Sequence, residues 1–283
     1  MLPLRRFALI TVALTLAAVV ALADAPVAPA PHAAGKPPTS PLVAVEPGEF
    51  PVILSAPHGG TKDVPGVSPR KGDGLPVGGS GFFAGRDGGT EELAHATAAA
   101  IAKKTGKKPY LVVAQFHRKF IDANRPPEIA YEDPKAKPTY DAYRGTLAAY
   151  CREVKKRYGR GLLLDIHGQG RMKDTVIRGT KDGKTVALLV QRYGEKAHTG
   201  PNSFFGLLAA GGYKVYPEKL ADKEYAALSG GDTVQTYGSG DYGIDAIQLE
   251  FGGDFRDAAS RTATADKVAA AVAKFTELYL TDK

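Results

Sequence analysis

The sequence predicts an α/β fold, a mixed or parallel sheet with helices on both faces. Two observations point there. Short apolar strand-like runs alternate with longer helix-like segments along the chain. A composition of 43% hydrophobic and 24% charged residues over 283 positions supplies one sizeable core and excludes a disordered chain, a collagen-like repeat and a coiled coil. The single cysteine, Cys151, excludes an intramolecular disulfide framework and any cysteine-based zinc or iron–sulfur site. A metal would have to be held by histidine and carboxylate.

Residues 1–23 carry Arg5 and Arg6, an apolar stretch over 7–22 and the small-residue end Ala21-Leu22-Ala23, the pattern of a secretory signal peptide. The expectation is an exported protein, periplasmic or secreted, with no stable membrane insertion after cleavage. No cysteine follows the stretch to take a lipid anchor. Residues 24–48, rich in Pro and Ala, read as a linker, and 49–283 as a single domain. The formal charge of +7 gathers in runs such as Lys103-Lys104 and Lys155-Lys156-Arg157 at helix ends. Cations there complement helix C-termini. No nucleic-acid motif accompanies them, so no nucleic-acid partner is expected.

The elements follow in order. Residues 50–55 (FPVILS) read as an apolar strand ending at Pro57-His58-Gly59-Gly60, followed by a glycine- and proline-rich loop over 61–89. Residues 90–104 form a helix, with Glu91 and Glu92 in its first turn and lysines in its last. A strand over 111–116 and a helix over 140–158 come next. Residues 161–167 (GLLLDIH) are almost continuously apolar, as a strand covered on both faces should be. Residues 185–196 and 202–210 read as helices, 244–251 (IDAIQLEF) as a fourth strand and 258–279 as a terminal helix. The run Gly179-Thr180-Lys181-Asp182-Gly183-Lys184-Thr185 is one residue short of a phosphate-binding loop and reads as a hairpin-like turn through Asp182-Gly183.

Chemistry collects at strand ends, where open α/β sheets form their sites. His58, His167 and Glu250 each end, or closely follow, an apolar strand. Alternation along a strand puts Asp165 and His167 on one face, with Asp165 able to orient His167 as an acceptor behind it. A hydrolytic zinc site takes three protein ligands, commonly two His and one carboxylate, and leaves a position open for water. Asp87 and Glu91 are both candidates for the carboxylate. The stretch 117–126 (HRKFIDANRP) is rich in donors, and arginine there suits a carboxylate through paired hydrogen bonds. Glu250 is placed as a general base. No Gly-x-Ser-x-Gly elbow is present, and His95, His198 and Cys151 receive no role.

The set Pro57-His58-Gly59-Gly60, Arg86-Asp87-Gly88-Gly89-Thr90, Arg118 through Asp122-Ala123-Asn124-Arg125-Pro126, Asp165-Ile166-His167-Gly168 and Gln248-Leu249-Glu250 resembles the N-formylglutamate amidohydrolase family in order, over roughly residues 50–256. The resemblance implies a zinc carboxypeptidase-like architecture, three-layer α/β/α around a mixed central sheet. It implies zinc held by His58, His167 and Asp87, with Glu91 as the fallback ligand. It also implies Glu250 as base, Arg118 as an oxyanion stabiliser, and Asn124 and Arg125 gripping a substrate carboxylate. One departure is that the position three after the first His, acidic in carboxypeptidases, is Thr61 here; the long loop to Asp87 fits the formylglutamate branch. The implied activity is hydrolysis of the amide of an N-formyl or N-acyl amino acid or small carboxylate-bearing peptide. The alternative is a non-catalytic envelope protein that binds zinc or carboxylated ligands on the same fold.

Overall fold

The computed structural model describes residues 38–78 and 81–281; the signal-peptide segment lies outside them. In chain order the elements are β1 (Val43–Glu46), β2 (Val52–Ala56), α1 (Thr90–Thr105), β3 (Tyr110–Ala114), α2 (Pro127–Ala130), α3 (Lys137–Tyr158), β4 (Leu162–Gly168), β5 (Thr175–Gly179), α4 (Ala187–Tyr193), α5 (Lys196–Thr199), α6 (Phe204–Ala210), β6 (Lys214–Tyr216), α7 (Asp232–Tyr237), β7 (Asp245–Phe251) and α8 (Arg261–Tyr279). The seven strands form one sheet in the order β1-β3-β2-β4-β7-β5-β6. Strands β3, β2, β4 and β7 run parallel. β1 pairs antiparallel with β3, and β5 antiparallel with β7, so the sheet is mixed. Among the described residues no helix is long and apolar enough to cross a membrane.

Side-chain alternation divides each central strand between two cores. Val52, Leu54, Leu164, Ile166 and Leu249 face α1, α6 and α8. Ile53, Leu163 and Ala246 face α3 and α7. Burying an aliphatic side chain of this kind stabilises by about 1.5–3 kcal/mol. The second face matters for function. Continuing by twos from Ile53, Leu163 and Ala246 brings Ser55, then Asp165 and His167, then Gln248 and Glu250. The apolar core under α3 and α7 therefore turns polar at the carboxyl ends of the parallel strands, all within one register.

The structure departs from the sequence reading in several places. β1 forms within the stretch expected to be linker: its backbone satisfies the outer edge of β3. β5, with five residues, and β6, with three, are additional strands. The helix expected over 185–196 is broken at Gly194, whose φ of 80° ends α4, and α5 follows as a single turn. The turn at Asp182-Gly183 joins β5 to a 3₁₀ turn and α4 instead of closing a hairpin.

Candidate metal centre

His58 follows β2 and His167 lies on β4, the strand next to it. Asp87 reaches both from the turn before α1. Its backbone N–H donates to His58 O at 2.9 Å, and its own carbonyl accepts from Thr90 Oγ1 at 2.7 Å. Two glycines permit this. Gly89 stands at φ 85°, and a Cβ there would lie 2.6 Å from Arg256 O. A Cβ on Gly59 would lie 2.3 Å from the Glu91 backbone nitrogen. Gly59 thus lets α1 approach the end of β2, and Gly89 lets the turn before α1 pack against Arg256.

Three donor atoms converge. His58 Nδ1 lies 3.1 Å from His167 Nδ1, and Asp87 Oδ2 lies 3.4 Å from the first and 3.3 Å from the second. All three residues are buried. Ligand atoms arranged tetrahedrally at about 2.0–2.1 Å from a metal are about 3.3–3.4 Å apart, so the spacing suits one ion. The opposite nitrogens are committed elsewhere. His58 Nε2 donates to Asp122 Oδ1 at 2.7 Å, and His167 Nε2 to Asp165 Oδ2 at 2.8 Å. Carboxylates in those places fix the tautomer with the proton on Nε2 and leave both Nδ1 lone pairs pointing inward. Two lone pairs and a carboxylate oxygen facing one another call for a cation. Burial opposes charge on His167, yet Asp165, Asp87 and Glu250 raise its pKa well above the ordinary imidazole value. Burial likewise opposes charge on Asp87, yet bonds from His167 and His58 hold it far below the carboxylate range. A metal ion bound here would supply the positive charge that these donors call for. The cluster of His58, Asp87 and His167 can hold a metal, and among the described residues it is the one group of three such donors.

Glu91 does not join it. Its Oε1 accepts from Gln115 Nε2 at 3.2 Å, because the first turn of α1 aims it at the end of β3. Asp165, behind His167, also accepts from the Ser55 hydroxyl. Glu250 lies directly across the ladder from His167. It is buried and accepts from Gln248 Nε2 at 2.8 Å. Burial, reinforced by Asp87 and Asp165, lifts its pKa from the ordinary 4.5 to about 7 against the pull of His167 and Arg118.

The donor-rich stretch after β3 lines the same cavity, which has a volume of about 750 Å³. Arg118 donates from Nε and Nη2 to Asp122 Oδ2 at 2.9 and 2.7 Å, and its Nη1 lies 3.8 Å from Asp87 Oδ1. Arg125 donates to Gly81 O at 3.2 Å and to Asn124 O at 2.9 Å. Asn124 Oδ1 accepts from the Thr233 N–H at 2.7 Å, which fixes its amide with Nδ2 toward His167. The sequence reading gave Asp122 no role, yet it joins His58, Arg118 and the Asn124 N–H. Its signal was present: an acid four residues after Arg118 in a stretch already singled out. Ser55 and Gln248 were given no role, although alternation along their strands puts them on the site's face of the sheet. His95 is on the surface, and His198 is buried against Thr180 with its pKa pushed down to about 4 by burial.

The structure thus combines a mixed seven-stranded sheet between helix layers with a His-Asp-His cluster at the carboxyl ends of its parallel strands. The solved structures it resembles include N-formylglutamate amidohydrolase from Ralstonia eutropha JMP134, with a TM-score of 0.55 and 14% identity over 84% of this chain and 98% of that one. They also include a gene product of Agrobacterium tumefaciens, at 0.52 and 17% over 84% of this chain and 94% of that one. The likeness establishes the fold. No family model matches the chain, and no curated protein matches it in sequence.

Proposed function

We propose that the protein is an exported, zinc-dependent amidohydrolase that cleaves the amide of an N-formyl or N-acyl amino acid or a small carboxylate-bearing peptide. The observation that supports this most is the convergence of three buried donors at ligand spacing, with the buried Glu250 carboxyl directly across the ladder from one of them. Zinc bound by His58, Asp87 and His167 would acidify a water and polarise the amide carbonyl. The chain's own groups do the rest. Glu250 accepts a proton from the attacking water and delivers it to the leaving amine nitrogen, a task that its place across the ladder from His167 suits. Gln248 holds the Glu250 carboxyl, and Asp122 and Asp165 hold the two imidazoles. Arg118, at the cavity wall, donates to the developing oxyanion, an effect typically worth about 3 kcal/mol per donor. Arg125 receives the substrate carboxylate, with Asn124 beside it. Export rests on the pattern of residues 1–23. A non-catalytic binding protein would have no use for a buried Glu250 beside the cluster, and the hydrolytic reading is preferred for that reason. Metal analysis of the purified protein, followed by a screen of N-formyl and N-acyl amino acids and short peptides, tests it. About one zinc per chain and cleavage of at least one such amide are expected. Stoichiometric zinc with no hydrolysis of any of them would favour the binding reading instead.

A further inference from the structure

The cavity is larger than a formylated amino acid needs. Its 750 Å³ falls in the upper part of the range that encloses a drug-sized ligand, whereas a formylated amino acid has only about a dozen heavy atoms. Glu250 and Gln248 both line the cavity, two residues and so about 7 Å apart along the strand. Gln248 pairs with Gly179 at the end of β5, and Lys181, two residues further on, stands in the same cavity wall.

Lys181 has an unusual backbone. Its φ is 52° and that of Asp182 is 54°, in the left-handed region that residues with side chains seldom adopt. The conformation is imposed by a buried clasp. The Glu224 carboxylate accepts from the Thr180 N–H at 2.8 Å, from the Asp182 N–H at 3.1 Å and from the Thr180 hydroxyl. It also pairs with Arg178 Nε at 2.8 Å, and Asp182 Oδ1 accepts from the Glu224 N–H at 3.0 Å. Glycine would meet this turn without strain, yet a lysine occupies it and lines the cavity. Strain that the surroundings hold in place is a mark of functional positions. Among the described residues the Lys181 ammonium makes no ion pair. The one wall carboxylate outside the metal cluster and Glu250 is Asp232, and it is taken by Arg144 at 2.7 Å.

We propose that Lys181 reads a second anionic group, a carboxylate that an elongated substrate carries in addition to the one that Arg125 receives. The hydrolase reading enters only in assigning the cavity to a substrate. Binding of suberate and of its monomethyl ester, measured by calorimetry, tests the proposal without requiring turnover. The two probes share a chain and differ in whether the far end is charged. Wild type should bind suberate about tenfold more tightly than the ester, the worth of one charge-assisted contact. Lys181→Met should abolish that preference and leave ester affinity unchanged. Lys181→Gly should abolish it too, with a melting temperature no lower than wild type, since glycine adopts positive φ freely. A preference retained in either variant, or absent from wild type, overturns the proposal. A lysine-dependent preference in a protein that cleaves no amide would leave the anion site standing and remove the hydrolase reading.

Discussion

Glu250→Gln separates a proton-transfer role for this carboxyl from a structural one. In the folded protein its pKa is about 7, against an ordinary 4.5 expected for the unfolded chain. Below the lower value both states hold the proton and burial costs nothing. As the pH rises between the two, the unfolded chain ionises while the folded one stays protonated, so stability falls. Above the upper value the loss is complete and, for a separation of 7 − 4.5, comes to about 3 kcal/mol. Gln keeps the shape and the oxygen that accepts from Gln248 Nε2. It loses no ion pair, because the nearby cation Arg256 donates to the carbonyls of Gly88, Phe251 and Gln169 instead. The metal-free variant should therefore match wild type near pH 4 and exceed it by up to about 3 kcal/mol near pH 8. Its kcat should fall about 10² to 10⁴-fold, with zinc content unchanged. Urea denaturation of chelator-treated protein at the two pH values, alongside steady-state kinetics of the zinc-loaded form, provides both readings. A variant less stable than wild type near pH 8, or one with zinc and wild-type kcat, would refute the reasoning.

Metal analysis should show that His58→Ala, His167→Ala and Asp87→Ala each lose zinc, while Glu91→Ala, His95→Ala and His198→Ala keep it; full occupancy after any of the first three changes would remove that residue from the ligand set. Asp122→Asn should weaken zinc binding about 10- to 100-fold in a chelator-competition titration, since Asp122 orients His58. It should also cost about 3–5 kcal/mol of stability, because the Arg118 guanidinium stays buried without its carboxylate; wild-type behaviour on both counts would show that the bond to His58 is incidental. Arg125→Lys should raise KM for substrates with a free carboxylate and hardly affect their esters or amides. Equal loss on both classes would mean that the guanidinium matters for its bonds to Gly81 and Asn124.

What could be read from the sequence was what lies within one element. Leu162 to Gly168 and Asp245 to Phe251 advertise themselves as covered strands, and alternation alone places Asp165 with His167 and Gln248 with Glu250. β6 has only three residues, and β1 follows a proline-rich stretch, so neither produces a pattern long enough to be seen. The choice between Asp87 and Glu91 was open because both flank the start of α1. It depends on the left-handed Gly89, which turns Asp87 toward the histidines and sends Glu91 to Gln115. Asp122 depends on the pairing of β2 beside β3, which carries the loop after β3 to the ring of His58. No spacing within the sequence encodes that meeting.

The site also explains why so much charge is tolerated under the core. Asp87, Asp122 and Asp165 are all buried, an arrangement that is costly unless each is paired. Asp122 answers to Arg118 and His58, and Asp165 to Ser55 and His167. Asp87 faces the two Nδ1 atoms, accepts from the Gly168 N–H at 3.1 Å and lies 3.8 Å from Arg118. Its partners come from β2, the loop after β3, and β4, so one ion among the three donors would tie together the end of β2, the end of β4 and the turn before α1. Metal removal should then loosen the fold as well as stop turnover. Ligand-linked stabilisation grows by about 1.4 kcal/mol for every tenfold excess of metal over its dissociation constant. The melting temperature of wild type should climb with added zinc while that of His167→Ala stays flat, and equal shifts in the two proteins would place the stabilising ion somewhere else.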